Sequence, residues 1–180
     1  MIPDYAALWA SMTIPADRLA EIEAQADAIV AHQADYEKVG MGVPWTVVGV
    51  IHHREASGNF RCHLHNGDPL TARTTHVPAG RPLVGRPPFS WVLSAQDALM
   101  LEGWGPGDWS TPEALRRCEA YNGWGYRARG LLSPYVWAGT NHQQPGKFTA
   151  DGHFDAAWVD EQLGVAPALK VLAALGFPLD

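Results

Sequence analysis

The chain is short of several features that would place a protein quickly. Its 180 residues include two cysteines, Cys62 and Cys118. Two are too few for a disulfide framework, and the expectation is a pair of free thiols. No apolar run approaches the ~20 residues that span a bilayer. The opening "MIPDYAALWASM" has no basic stretch ahead of an apolar one and carries an early acid, Asp4, so it does not read as an export signal. Charged residues make up 18% of the chain and sum to −6, which argues against a general binder of polyanions. Only Arg116, Arg117, Arg127 and Arg129 gather positive charge locally. There is no internal repeat, no low-complexity tract, and no H-E-x-x-H or C-x-x-C spacing.

What is present is apolar and rich in turn formers: 18 glycines, 14 prolines and 8 tryptophans. That composition suits one loop-rich globular domain with much aromatic surface. "IPADRLAEIEAQADAIVAHQADYEKVG" predicts one long helix, with Leu19, Ile22, Ala26, Ile29 and Val30 as its apolar stripe and Gly40 as its stop. A second helix is expected from near Pro44 to about Glu55. Residues 57–88, dense in Gly, Pro, Asn and Asp, predict an irregular lobe with a short hairpin at "NGDP". "SWVLSAQDALMLEGW" and "STPEALRRCEAYNGWG" predict two more helices, the latter capped by Ser110 or Thr111 with Pro112 in its first turn. A long loop through "GKFTADGHF" precedes one or two closing helices in "DAAWVDEQLGVAPALKVLAAL". The expected class is α+β, mainly α, as a single domain over residues 1–180. Residues 1–43 would be a helical arm packed on the same core.

Glu55 breaks the pattern of the second helix. Val47, Ile51 and Glu55 lie four apart on one face, and Val48, His52 and Glu55 share the next. A carboxylate thus stands where a core residue is expected. Either it is salt-bridged to Arg54 or Arg61 or solvated at the helix end, or it is partly desolvated. A carboxyl group so placed keeps its proton to higher pH, as a general acid must.

"EASGNF", followed much later by "AYNGWG", resembles the lysozyme-like superfamily of peptidoglycan-cleaving enzymes, in particular goose-type lysozymes and lytic transglycosylases. The resemblance implies a lysozyme-like fold with a small β or loop lobe after the catalytic helix. It implies Glu55 as the acid, Phe60 as the motif aromatic, and Tyr121 and Asn122 as sugar-binding residues. Most of the chain, from "VPWTVVGVIHHREAS" through "HLHNGDPLTARTTHVPAGRP" to "YNGWGYRARGLLSPYVWAGT", is also similar to bacterial and phage proteins described as lysozyme-family. Ala56 stands where transglycosylases carry Ser, Phe60 lies two residues late, and their G-L-M-Q segment is absent. Those departures favour a hydrolase.

An inverting glycosidase needs a second carboxylate roughly 6.5–9.5 Å from the acid to activate water. Asp68, thirteen residues on in "NGDPLTART", is the candidate, with Thr71, Thr74 and Thr75 nearby. Phage-type lysozymes resemble this order of Glu, Asp and Thr. Alternatively, an Asp before Pro in a turn bonds only its own backbone. The histidines His52, His53, His63, His65 and His76 crowd this region. They either line and brace a cleft or, with Glu55 or Asp68, hold zinc. Trp124 and Tyr126 flank the "AYN" match and are candidates to stack on sugar rings. Arg73, Arg81 and Arg127 are candidates for peptidoglycan carboxylates.

The expected function is hydrolysis of the β-1,4 bond between N-acetylmuramic acid and N-acetylglucosamine. Glu55 and Asp68 would be catalytic, and Tyr121, Asn122, Thr74, His65, Trp124 and Tyr126 would bind substrate. No metal and no cofactor is expected. The rivals are a lytic transglycosylase using the same Glu55, a zinc-dependent hydrolase, and a glycan-binding module without catalysis. The expected partner is the glycan strand, with no nucleic acid, no membrane insertion and a monomeric state. The protein would be made in the cytoplasm without a signal peptide and act on the cell wall after holin-type or other release.

Overall fold

The structure, a computed structural model, describes residues 3–150 and 152–179. The described elements are mainly helical: α1 (Tyr5–Ser11), α2 (Ala16–Ala31), α3 (Gln33–Glu37), α4 (Trp45–Ala56), α5 (Trp91–Leu101), α6 (Thr111–Asn122), α7 (Gly125–Ala128), α8 (Pro134–Trp137), a two-stranded antiparallel sheet of β1 (Lys147–Ala150) and β2 (His153–Asp155), and α9 (Val165–Ala174). This is the mainly α form of an α+β protein. Among the described residues no helix is long and apolar enough to cross a membrane.

The chain divides into two compact units, one of Met1–Ala26 with Trp109–Asp180 and one of Asp27–Asp108. In the first, α1 packs on α6, and α6, α8 and α9 pack on one another. Trp137, Leu115, Leu172 and Cys118 are fully buried there. The Lys170 ammonium donates to the Trp9 and Met12 carbonyls, both at 3.3 Å, and so holds the end of α1. The Asn141 side chain takes the Thr13 N–H at 2.8 Å.

In the second unit α3 packs on α4, which is the centre of the unit. Seven consecutive residues of α4, Thr46 to His52, are buried, so this helix is enclosed on every side. Each of the buried Val47, Val48, Val50 and Ile51 contributes roughly 1.5–3 kcal/mol of apolar burial. Gly49 permits the close packing: a Cβ there would lie 2.5 Å from Ile29 Cγ2. Pro44 stands at the N-cap, one position outside the helix, and its carbonyl accepts from Val47 and Val48.

Several boundaries differ from the sequence reading. The long N-terminal helix is interrupted at His32, whose backbone (φ −109°, ψ 16°) leaves the helical range, and an unforeseen α1 precedes it. His32 rests its ring on Phe60, 4.7 Å between centroids, and bonds Asp35. No Gly or Pro announces that break. The expected long loop contains α8 and the β1–β2 hairpin, and the closing segment forms one helix, α9. The two cysteines are free thiols.

Candidate functional site

Glu55 lies in the last turn of α4, at the point where the helix leaves the core. His52 is fully buried, and residues 53–56 are half-buried. Ser57 (φ 52°) and Gly58 (φ 72°) then turn the chain left-handed and end the helix. The lobe folds back at once. Leu70 N–H donates to the Arg61 carbonyl at 2.9 Å and His63 N–H to the Asp68 carbonyl at 2.7 Å. A single antiparallel bridge, Cys62 to Pro69, is what forms of the expected hairpin. Its turn rests on the catalytic candidate: a Cβ added to Gly67 would sit 2.6 Å from the Glu55 carbonyl oxygen. The helix end and the "NGDP" turn are therefore in direct backbone contact.

Two histidines precede Glu55, and both are held uncharged. Burial pushes His52 down to about 4 and lowers His53 as well. The Trp91 indole N–H, which can only donate, points at His52 Nε2 at 3.1 Å. The neutral ring therefore carries its proton on Nδ1, 3.1 Å from the Tyr36 hydroxyl. Phe60 closes this group, with ring centroids 4.7 Å from both His52 and Trp91. One helical turn before Glu55 the surroundings are thus aromatic and neutral.

Asp68 is buried and saturated with donors. Its Oδ2 accepts from the Thr75 N–H at 2.7 Å, the His76 N–H at 3.0 Å and the Thr75 hydroxyl at 3.3 Å. Its Oδ1 pairs with His76 Nδ1 at 2.6 Å. Burial alone would raise its pKa, but the His76 and Thr75 hydrogen bonds outweigh it and hold the carboxyl well below the usual range. A carboxylate so placed ties residues 68 and 75–76 together. It is poorly suited to accept a proton from water, the role expected of it.

The other lobe residues are likewise turned inward. Thr74 Oγ1 donates to the Pro78 carbonyl at 2.5 Å and accepts the Arg81 N–H at 2.9 Å. His65 Nε2 donates to Asp97 Oδ2 at 2.8 Å, and Arg81 grips both oxygens of Asp97 at 2.8 and 2.9 Å. His63 spans Ser94 and the Ala72 carbonyl. Burial assigns Thr74 and His65 to bracing in place of the sugar contacts expected of them, and Arg81 to Asp97 in place of a substrate carboxylate. Among the described residues no group of three His, Cys, Asp or Glu side chains is arranged to hold a metal ion.

Tyr121, Asn122, Trp124 and Tyr126 belong to the other unit. Asn122 is exposed at the end of α6, and Tyr121 is half-buried with its ring stacked on Tyr135. Trp124 is exposed, and the Arg127 guanidinium lies 3.9 Å from its ring centroid. Tyr126 is buried between Phe148 and Phe154, and its hydroxyl accepts the Phe148 N–H at 3.1 Å. That enclosure removes it from the expected stacking set. Arg127 also donates to the Tyr5 hydroxyl, which bonds the buried Glu119.

No protein-family model, curated protein or solved structure compared with the chain gives a match.

The site therefore stands on its own chemistry. The sequence reading missed the Arg81–Asp97–His65 group and the His52–Trp91–Tyr36 group. The first had a signal in "SAQDALM", an acid within an otherwise apolar helix face. The second joins residues 16 and 39 positions apart, and no local pattern records such a pairing.

Proposed function

We propose that the protein is a lysozyme-like glycan hydrolase of peptidoglycan, with Glu55 as its general acid. The observation that carries this reading is the position of Glu55. It lies in the half-buried last turn of a helix whose preceding residues, Thr46 to His52, are buried, after two histidines that burial keeps neutral, with the backbone of the lobe turn against its own. In the proposed reaction Glu55 gives its proton to the glycosidic oxygen as the C–O bond breaks, water adds at the sugar carbon, and the proton that this water loses returns through solvent to the Glu55 carboxylate. Asp68 keeps the lobe in shape as an ionised brace. The water is then oriented by the substrate's own groups or by the lobe backbone.

Glu55→Gln tests the assignment. Clearing of purified cell walls should fall by roughly 10²-fold or more, with an unchanged thermal melt. A folded variant of full activity would refute it. The second reading, a lytic transglycosylase, shares Glu55 and differs in its products, which would be anhydro-muropeptides one water lighter by mass spectrometry. The departures at Ala56 and Phe60 favour the hydrolase.

A further inference from the structure

The unit of Met1–Ala26 with Trp109–Asp180 holds a trough of about 420 Å³. One wall is a stripe of α1, with Asp4 at the N-cap and Ala7, Leu8 and Ser11 three, four and seven positions on, so that they share a face. The other wall is residues 130–132, with Arg127 just before it. The volume is that of a small-molecule site. Pro3, Ala7, Leu8, Leu131 and Leu132 make the surface aliphatic, and no aromatic ring is among the described residues that line it.

The polar groups decide which ligand fits. The N–H groups of the second wall are taken. Gly130 donates to the Arg127 carbonyl at 3.0 Å, Leu131 to the Tyr126 carbonyl at 3.1 Å and Leu132 to Gln144 Oε1 at 3.1 Å. Arg127 is the one cation among the described lining residues, and it is already engaged. It faces Glu119 at 3.4 Å, donates to the Tyr5 hydroxyl and lies over the Trp124 ring. An anion would have to compete with Glu119 for it. Asp4 is the opposite case. Its Oδ1 caps α1 by accepting the Ala7 N–H at 3.0 Å, and no cation among the described residues pairs with it. With Arg127 counted against Glu119, the charge left unbalanced at the trough is the negative one of Asp4.

We propose that this trough binds an aliphatic primary ammonium, with the alkyl chain along the α1 stripe and the ammonium on Asp4 Oδ2. The cap occupies Oδ1, which leaves one oxygen. That suits the point charge of an ammonium and not a guanidinium, which pairs best with both. Aliphatic walls form no cage for a quaternary ammonium, which calls for aromatic faces. From Asp4 to Ser11 the helix advances roughly 10 Å, room enough for a four-carbon chain. A lysine-type side chain on a peptide and a small free amine both present this group. Binding here is independent of Glu55, which lies in the other unit.

An amide-resolved NMR titration of the whole protein tests this with Nα-acetyl-lysine amide, its uncharged analogue Nα-acetyl-norleucine amide, and n-butylamine. The lysine derivative should shift the resonances of residues 4–11 and 130–132. It should bind about threefold or more tightly than the norleucine derivative, a preference that shrinks as salt rises. Asp4→Asn keeps a cap, since Asn caps as well as Asp, and should erase the preference with an unchanged melting temperature. If it disturbs folding, Ala7→Leu, which fills the trough from an exposed helical position, should block both charged probes. If n-butylamine binds as tightly as the lysine derivative, the ligand is a free amine, and if it binds more weakly, a peptide side chain; either result supports the site. The proposal is overturned if neither charged probe shifts those resonances, if the norleucine derivative binds equally, or if the preference survives Asp4→Asn. Glu55→Gln should leave the binding unchanged while it removes cell-wall clearing, so the two readings fail separately.

Discussion

Gly67→Ala probes the contact on which the site is built. Two costs add at this position. The backbone is left-handed (φ +77°), which costs an alanine ~1–2 kcal/mol. The new Cβ would also lie 2.6 Å from the Glu55 carbonyl oxygen, where an ordinary contact begins at 3.4 Å. The turn would have to retreat by about 0.8 Å from a backbone atom that cannot swing aside, an overpacking cost of ~1–3 kcal/mol. Gly80→Ala is the matched control. Its φ is +79°, but nothing lies within 4 Å of the added Cβ, so it bears the backbone cost alone. With roughly 2–4 °C per kcal/mol for a chain of this size, Gly80→Ala should melt about 2–8 °C below wild type. Gly67→Ala, bearing both costs, should melt roughly 4–20 °C below it and in any case lower than Gly80→Ala. Calorimetry on the two variants reads the difference, and cell-wall clearing should fall in Gly67→Ala although Glu55 is untouched. Equal melting temperatures would refute the idea that the lobe turn bears on the helix end.

Other outcomes follow from the buried ionisable groups. His52 is held near 4 by burial, against an ordinary 6.5. Its contribution is therefore full above pH ~6.5 and is lost as pH falls from there through about 4, in all roughly 3 kcal/mol. Denaturant melts of His52→Gln should lack that slope. Asp68 is held below the ordinary carboxylate value of 3.8, so its stabilisation is full above that value and fades as pH drops beneath it. Asp68→Asn should flatten the acid limb below pH ~4 in the same melts and, as a brace, should lower stability more than it lowers the rate per folded molecule. Cys118 is fully buried and its thiol is pushed up to about 12, whereas Cys62 is half-buried. A thiol reagent should modify Cys62 in the native protein and reach Cys118 only on unfolding.

How much of this was legible depends on the range of the interaction. α4 was readable because its apolar run is local, as was α6 with Pro112 and Glu113 in its first turn and Gly123 at its end. Glu55 stood out for the same reason. The break at His32 left no mark, because its ring contact is with Phe60, 28 positions on. The β1–β2 hairpin had a signal in "KFTADGHFD", where Phe148 and Phe154 flank an Asp-Gly pair, but the surrounding Gly and Pro obscured it. Thr74, His65 and Tyr126, expected at the substrate, are buried with protein partners. Composition marks them as hydrogen-bonding or aromatic, and only the fold decides that Pro78, Asp97 and Phe148 take them up.

The division of the chain has a consequence for synthesis on the ribosome. The unit of Asp27–Asp108 is one uninterrupted stretch, whereas the other is assembled from the two ends of the chain. Tyr5 waits for Glu119, Thr13 for Asn141 and Arg18 for the Glu161 carbonyl. During vectorial synthesis the first helix emerges more than a hundred residues before any of these partners. Its apolar side must therefore stay unsatisfied, and open to chaperones and proteases, for most of the time the nascent chain is being made. Nascent chains halted after Asp108 should accordingly be cut before residue 27 and resist cutting beyond it. The half of the molecule that carries Glu55 can thus be finished early, and the half that carries Asn122 and Trp124 closes last.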